Sequence, residues 1–230
     1  MKHFSFSNNF EVAVKHPKRV VYKHLFPTLN KRTLQLALVL LFAFQLNAQE
    51  KVNEYSMSYF DGKNYNIGAT EVKNGEFSYY IDCASWEDDT DAVGINFKST
   101  EVQEFQNKMN EIKNKYVEWT NTAKQNNVTD FDKNFDIKLP KVNCFFRYGD
   151  YHFSFNRTPN AYFKVTTDGE CYAIISIKNL QASDNRYIEH DGLFMVFASA
   201  EEIDDFINAI DKKHVIEKSE KRTNTDDLFK

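Results

Sequence analysis

Two segments of this chain, a hundred residues apart, begin in the same way. FKSTEVQEFQNKMNEI from Phe97 and FASAEEIDDFINAI from Phe197 both place Ser two residues, and Glu four residues, after the leading Phe. With one residue inserted, Phe105 then lies over Phe206. Upstream, NGEFSYYID (Asn74 to Asp82) matches DGECYAIIS (Asp168 to Ser176) as a turn dipeptide, a Glu and an apolar strand. Matches in one order at two places point to an ancient duplication. A repeat constrains the fold strongly, because each copy must build the same supersecondary unit. The expected unit is ββββα, running over about 51–125 and again over about 142–216.

Each copy opens on a hairpin pattern. Asp61-Gly62 separates two alternating segments in YSMSYFDGKNYNIG, and Gly149-Asp150 separates NCFFRY from YHFSFN. Two-residue loops of this composition suit the turns that match strand twist. In the second hairpin they would set Tyr148, Phe146 and Cys144 opposite Tyr151, Phe153 and Phe155, with Arg147 and His152 on the other face. The helices are the clearest elements. Val102, Phe105, Met109, Ile112, Tyr116, Trp119 and Ala123 recur at helical spacing, as do Ile203, Phe206, Ile207 and Ile210. Ser199 with Glu202, and Thr100 with Gln103, have the spacing of capping boxes. The acids at 201, 202, 204 and 205 suit the positive end of a helix dipole. The Ser-and-acid cluster therefore needs no catalytic role. The expected fold is α+β: one domain over 49–216, an antiparallel sheet built from the duplicated unit, two amphipathic helices on one face and the other face partly open. A polar tail follows at 217–230.

The first 48 residues read differently. They hold seven Lys or Arg and one acid, Glu11, and then an apolar run of 13 residues from Leu34 to Leu46, followed by Asn47 and Ala48. A basic lead, a short apolar run and a small residue after it form a secretory signal pattern, with cleavage expected after Ala48. The run falls short of the roughly 20 residues needed to span a bilayer. The LNA-QE junction resembles the signal peptides of exported proteins in Gram-negative bacteria of the Bacteroidetes type, which implies a periplasmic or secreted location. The basic lead of 33 residues is long for a signal.

Residues 49–230 keep 22 of the 29 basic and 32 of the 33 acidic residues, a net charge of −10. Such a body repels phosphate backbones, so nucleic acid is excluded as a partner, and an anionic membrane surface offers it no attraction. Cys83, Cys144 and Cys171 fit no metal or redox spacing and are expected as small buried residues. Export also allows one disulfide, which would leave the odd Cys free.

Candidate chemistry is sparse. In WEDDTDAVG, Glu87, Asp88, Asp89 and Asp91 could offer oxygen ligands to calcium, but the spacing departs from the twelve-residue calcium loop. In DFDKNFD, Asp130, Asp132 and Asn134 fit that spacing, while Phe135 takes the Gly position and Lys141 the closing Glu. His152, His190 and His214 lie in separate elements, and no hydrolase elbow, Walker loop or dinucleotide fingerprint occurs. No cofactor is expected. Twelve Tyr and 21 Phe in 230 residues are a heavy aromatic load, and exposed Tyr favours binding surfaces. Together with export this leads to a non-catalytic binding or interaction protein for a protein, peptide or glycan, with Arg147, Tyr148, Tyr151 and His152 as contact residues. A small secreted hydrolase assembled across the repeats, or a structural envelope subunit that forms a homo-oligomer, are the alternatives.

Overall fold

The computed structural model describes residues 50–73, 76–87 and 92–218. The signal segment with its cleavage position, the Asn74-Gly75 turn, Asp88, Asp89, Asp91 and the tail from 219 lie outside the described residues. The class is α+β, but the strands form two antiparallel sheets, not the single sheet expected. The strands of the first are β1 (Glu50–Met57), β2 (Lys63–Lys73), β3 (Glu76–Asp82), β5 (Val93–Lys98), β7 (Val142–Tyr148) and β8 (Asp150–Arg157), ordered β1-β2-β3-β5-β7-β8. The second holds β4 (Ala84–Ser85), β6 (Phe131–Asn134), β9 (Asn160–Val165), β10 (Cys171–Gln181) and β11 (Glu189–Phe197), ordered β4-β11-β10-β9-β6. Two places divide them. After Asp82 the chain leaves β3 and pairs Ala84 and Ser85 with β11. At the end of β8, Asn156 at φ 56° and then Pro159 turn it out of the first sheet. Twisted open sheets rarely exceed about 10 strands, so eleven strands divide into two layers.

Helices α1 (Val102–Gln125) and α2 (Ala200–Ala209) follow β5 and β11. A short 3-10 turn spans Ser58–Phe60, and residues 212–218 are helical, so helix continues past the expected end of the domain at 216. Among the described residues no helix is long and apolar enough to cross a membrane. Val102, Phe105, Met109, Ile112, Tyr116 and Ala123 of α1 are buried, and so are Ile203, Phe206 and Ile207 of α2. These join the inner faces of both sheets in one continuous core. Tyr116 ties α1 to the second sheet, its hydroxyl donating to Cys171 O at 3.0 Å and Ala198 O at 2.6 Å.

Local chemistry explains the helix starts. Ser199 Oγ accepts the Glu202 N–H at 3.2 Å, and Glu202 Oε2 accepts the Ala198 N–H at 2.8 Å. The first helix is begun differently from the expected Thr100 and Gln103 box. It starts after Glu101, whose carboxylate accepts the Lys98 N–H at 2.8 Å, while Ser99 Oγ accepts the Phe77 N–H at 3.1 Å. The first hairpin also differs. Met57 pairs with Lys63 across five residues, and Asp61 and Gly62 (φ 53° and 73°) close the 3-10 turn.

All three cysteines are buried free thiols, and burial pushes the Cys144 thiol up to about 12. Tyr79 is a local fault in the core. Its ring stacks on Phe97 at 5.7 Å, yet its fully buried hydroxyl has no hydrogen-bond partner among the described residues. An unmade buried hydrogen bond costs about 1–3 kcal/mol. Tyr79→Phe should therefore raise the unfolding free energy by about 1 kcal/mol in urea titration, and a loss of stability would show that the hydroxyl is satisfied.

Candidate functional site

The contact residues expected from sequence are separated by a slip in register. Gly149 (φ 69°) is the only residue in the second hairpin turn, so Tyr148 pairs with Asp150, Arg147 with Tyr151, and Phe146 with His152. A slip of one residue moves a strand's whole side-chain set to the other face. His152 therefore points inward, 8% exposed and beside Phe146, with Nδ1 3.2 Å from each Asp184 carboxylate oxygen. Arg147 and Tyr151 share the outer face, and Tyr148 is exposed at the turn. That outer face carries aromatic area in Tyr80, Phe145, Tyr151, Phe153 and Phe155. Its amides are already engaged: Asn96 donates to Ser78 Oγ and Tyr79 O, and Asn143 Oδ1 accepts the Asn156 N–H.

Of the proposed calcium ligands, Glu87 lies among the described residues. Glu87 Oε1 accepts the Asp191 N–H at 2.8 Å, which spends it on the fold. DFDKNFD is not a calcium loop: Phe131–Asn134 are a strand paired with β9, and Phe135 is buried because its ring stacks on Trp119 at 5.2 Å. Among the described residues no three His, Cys, Asp or Glu side chains are placed to hold a metal.

His152 Nδ1 and the Asp184 carboxylate form a hydrogen-bonded pair at the edge of the first sheet. The hydrogen bond from His152 holds the Asp184 carboxyl below its ordinary range. A depressed carboxylate stabilises the fold above its unfolded pKa of about 3.9, and that contribution is lost as pH falls through the folded value. As pH falls below about 3.9 and through the folded value, the stability gap separating the wild type from Asp184→Asn should close. Urea midpoints across that range test it, and a gap that stays constant would contradict the pair.

Chemistry converges on the outer face of the second sheet. Along β10, Cys171, Ala173, Ile175 and Ile177 enter the core, while Tyr172, Ile174, Ser176 and Lys178 lie on the opposite face, Ile174 and Ser176 being buried there by their neighbours. Paired beside them outward are Asn160, Tyr162 and Lys164 of β9, then Asp132 and Asn134 of β6. Asp132, Asn134, Asn160, Tyr162, Ser176 and Lys178, with the turn at Asn156, Arg157 and Thr158, line a cleft of about 500 Å³. Ligand clefts are commonly about 300–1,000 Å³. Arg157 forms one wall, held by Nη2 donating to Lys178 O and Asn179 O, each at 3.0 Å. Burial, with Asp132 and Tyr59 adding, pushes the Tyr162 phenol up and keeps it neutral. The side chains of Asn134, Asn160, Thr158 and Ser176 make no hydrogen bond to any other described residue.

Exposed aromatics flank this cleft along β10. At one end Tyr59, 52% exposed, meets Tyr172 edge-on at 5.2 Å. At the other Trp86, 41% exposed, packs on Phe194 at 4.2 Å and carries Lys178 Nζ over its ring at 5.3 Å. That β10 begins as an apolar strand was present in the sequence. Its partners across the sheet were not, since they come from four separate segments.

A Ser, a His and a Glu also meet near this edge, in the wrong order for hydrolysis. His190 Nδ1 accepts the Gly192 N–H at 2.9 Å, so the neutral ring carries its proton on Nε2 and donates it to Ser85 Oγ at 3.3 Å. A nucleophilic Ser needs the reverse, an imidazole that accepts its proton. Glu87 stands 4.0 Å from the same Nε2, not behind Nδ1. The chain matches no protein family, no curated protein and no solved structure.

Proposed function

We propose that this is an exported, non-catalytic binding protein of the bacterial envelope that takes its ligand on the outer face of the second sheet. One observation carries the reading: polar side chains with no partner among the described residues converge on a cleft beside exposed aromatic rings. Building such a surface leaves hydrogen-bonding capacity and aromatic area unused in the free protein, and binding recovers both. On the aromatic strip of the first sheet, Asn96 Nδ2 and Asn143 Oδ1 are engaged within the fold. The Ser85 and His190 wiring gives no support to the hydrolase alternative.

Location follows from the signal pattern, and cleavage after Ala48 is part of the proposal. The two copies of the unit are read as a duplication. Strands β2, β3 and β5 lead into α1 as β9, β10 and β11 lead into α2. In both, a Glu in or just before the first helical turn accepts the N–H of the residue that follows the last Phe of the strand.

A thermal-shift screen of the purified protein against peptides, glycans, lipids and divalent metals tests the role. A ligand at 100 times its dissociation constant adds about 2.7 kcal/mol. A shift is expected with one ligand class, and Arg157→Ala should abolish it. Turnover of a ligand, or a shift that Arg157→Ala leaves intact, would contradict the reading.

A further inference from the structure

We infer that the ligand of this face is an uncharged polyhydroxylated chain, a neutral glycan lying along β10 between Trp86 and Tyr59. This deepens the binding role proposed above and rests on it.

The cleft's chemistry is that of hydroxyl recognition. A sugar hydroxyl both donates and accepts, and so do the Asn134 and Asn160 amides and the Ser176 and Tyr162 hydroxyls that line it. An apolar ligand would bury these groups unpaired, at a cost of about 1–3 kcal/mol each. The cations are already occupied. Arg157 spends Nη2 on two backbone carbonyls, and Lys178 lies over Trp86; these are the cations that line the cleft. A bidentate anion clamp needs a free guanidinium fork. The net charge of −10 over 49–230 further repels an anionic polymer but does not act on a neutral one.

Length and shape agree. Tyr172 and Lys178 are six residues apart on one face of one strand, about 20 Å at strand rise. Trp86 and Tyr59, at those two ends, offer ring area to the C–H faces of a sugar.

The test is calorimetric titration of the purified protein with neutral hexasaccharides (malto-, cello-, xylo-, manno- and chito-series), with heparin and polygalacturonate as anionic counterparts and a mixed peptide pool. Saturable binding of at least one neutral hexasaccharide is expected. Trp86→Ala and Asn160→Ala should each weaken it tenfold or more, while Tyr187→Ala, an exposed aromatic elsewhere, leaves it unchanged. Thermal unfolding of each variant verifies its fold, and Trp86→Phe should restore part of the affinity. If only an anionic polymer or peptide binds, and Trp86→Ala weakens it, the glycan inference is overturned and the binding face stands. If nothing binds in a Trp86-dependent way, both fail.

Discussion

Phe206→Ala should destabilise the protein more than truncation of any residue on its surface. The Phe206 ring is fully buried and lies 4.9 Å from Tyr55, 5.5 Å from Phe197 and 6.4 Å from Phe105. It thus joins β1, β11 and α1 to α2, and the two sheets meet through it. Removing a buried Phe costs about 3–5 kcal/mol, because the cavity adds to the lost transfer energy. For a domain of this size that lowers Tm by roughly 6–20 °C. Calorimetry of the variant checks it. A change of less than about 1 kcal/mol would mean the site collapses without loss, contrary to a core shared by both sheets and both helices.

Gly192→Ala is the second large effect, and it couples fold to site. Gly192 has φ 124°, a conformation that L side chains rarely adopt, and an added Cβ would overlap the Ile177 carbonyl and sit 2.8 Å from Lys178 Cα. Backbone strain of about 1–3 kcal/mol and overpacking of about 1–3 kcal/mol both apply, giving roughly 2–6 kcal/mol in all. The neighbour that must move is Lys178, which carries the cation over Trp86. Ligand affinity should therefore fall along with stability. Gly169→Ala separates the two effects. Gly169 has φ 83° with open space around it, so only the backbone term of about 1–2 kcal/mol remains and binding is untouched. Equal losses in both variants would show that Gly192 is not a close approach.

How much of this could be read from the residues depended on the range of the interactions. The helical stripe from Val102 to Ala123 and the cap at Ser199 depend on neighbours within a turn, and their spacing made them legible. The α+β class followed from them. The split into two sheets did not, because it turns on the long-range pairing of Ala84 and Ser85 with β11. The hairpin at Gly149 was mislaid by a single residue. Either loop length satisfies the alternation of apolar residues, and only packing against Ile95 and Val93 decides that Cys144 and Phe146 face inward. That slip moved His152 from the surface to the interior. The start of β10 was legible as an apolar strand, but which of its residues face outward was not, and Arg157, Asn134 and Trp86 come to the same face through tertiary structure alone. The acids of the Trp86 loop drew attention to metal chemistry, while the aromatic side chain beside them is what reaches the outer face.

Hydrogen–deuterium exchange on the protein, free and saturated with whichever ligand class gives the largest thermal shift, tests the central claim most directly. The outer face of the second sheet as the binding surface predicts slowed exchange in Asn160–Val165, Cys171–Gln181 and the segment around Trp86. Slowed exchange confined to Val142–Tyr148 and Asp150–Arg157 would contradict it and return the site to the Arg147 and Tyr151 face.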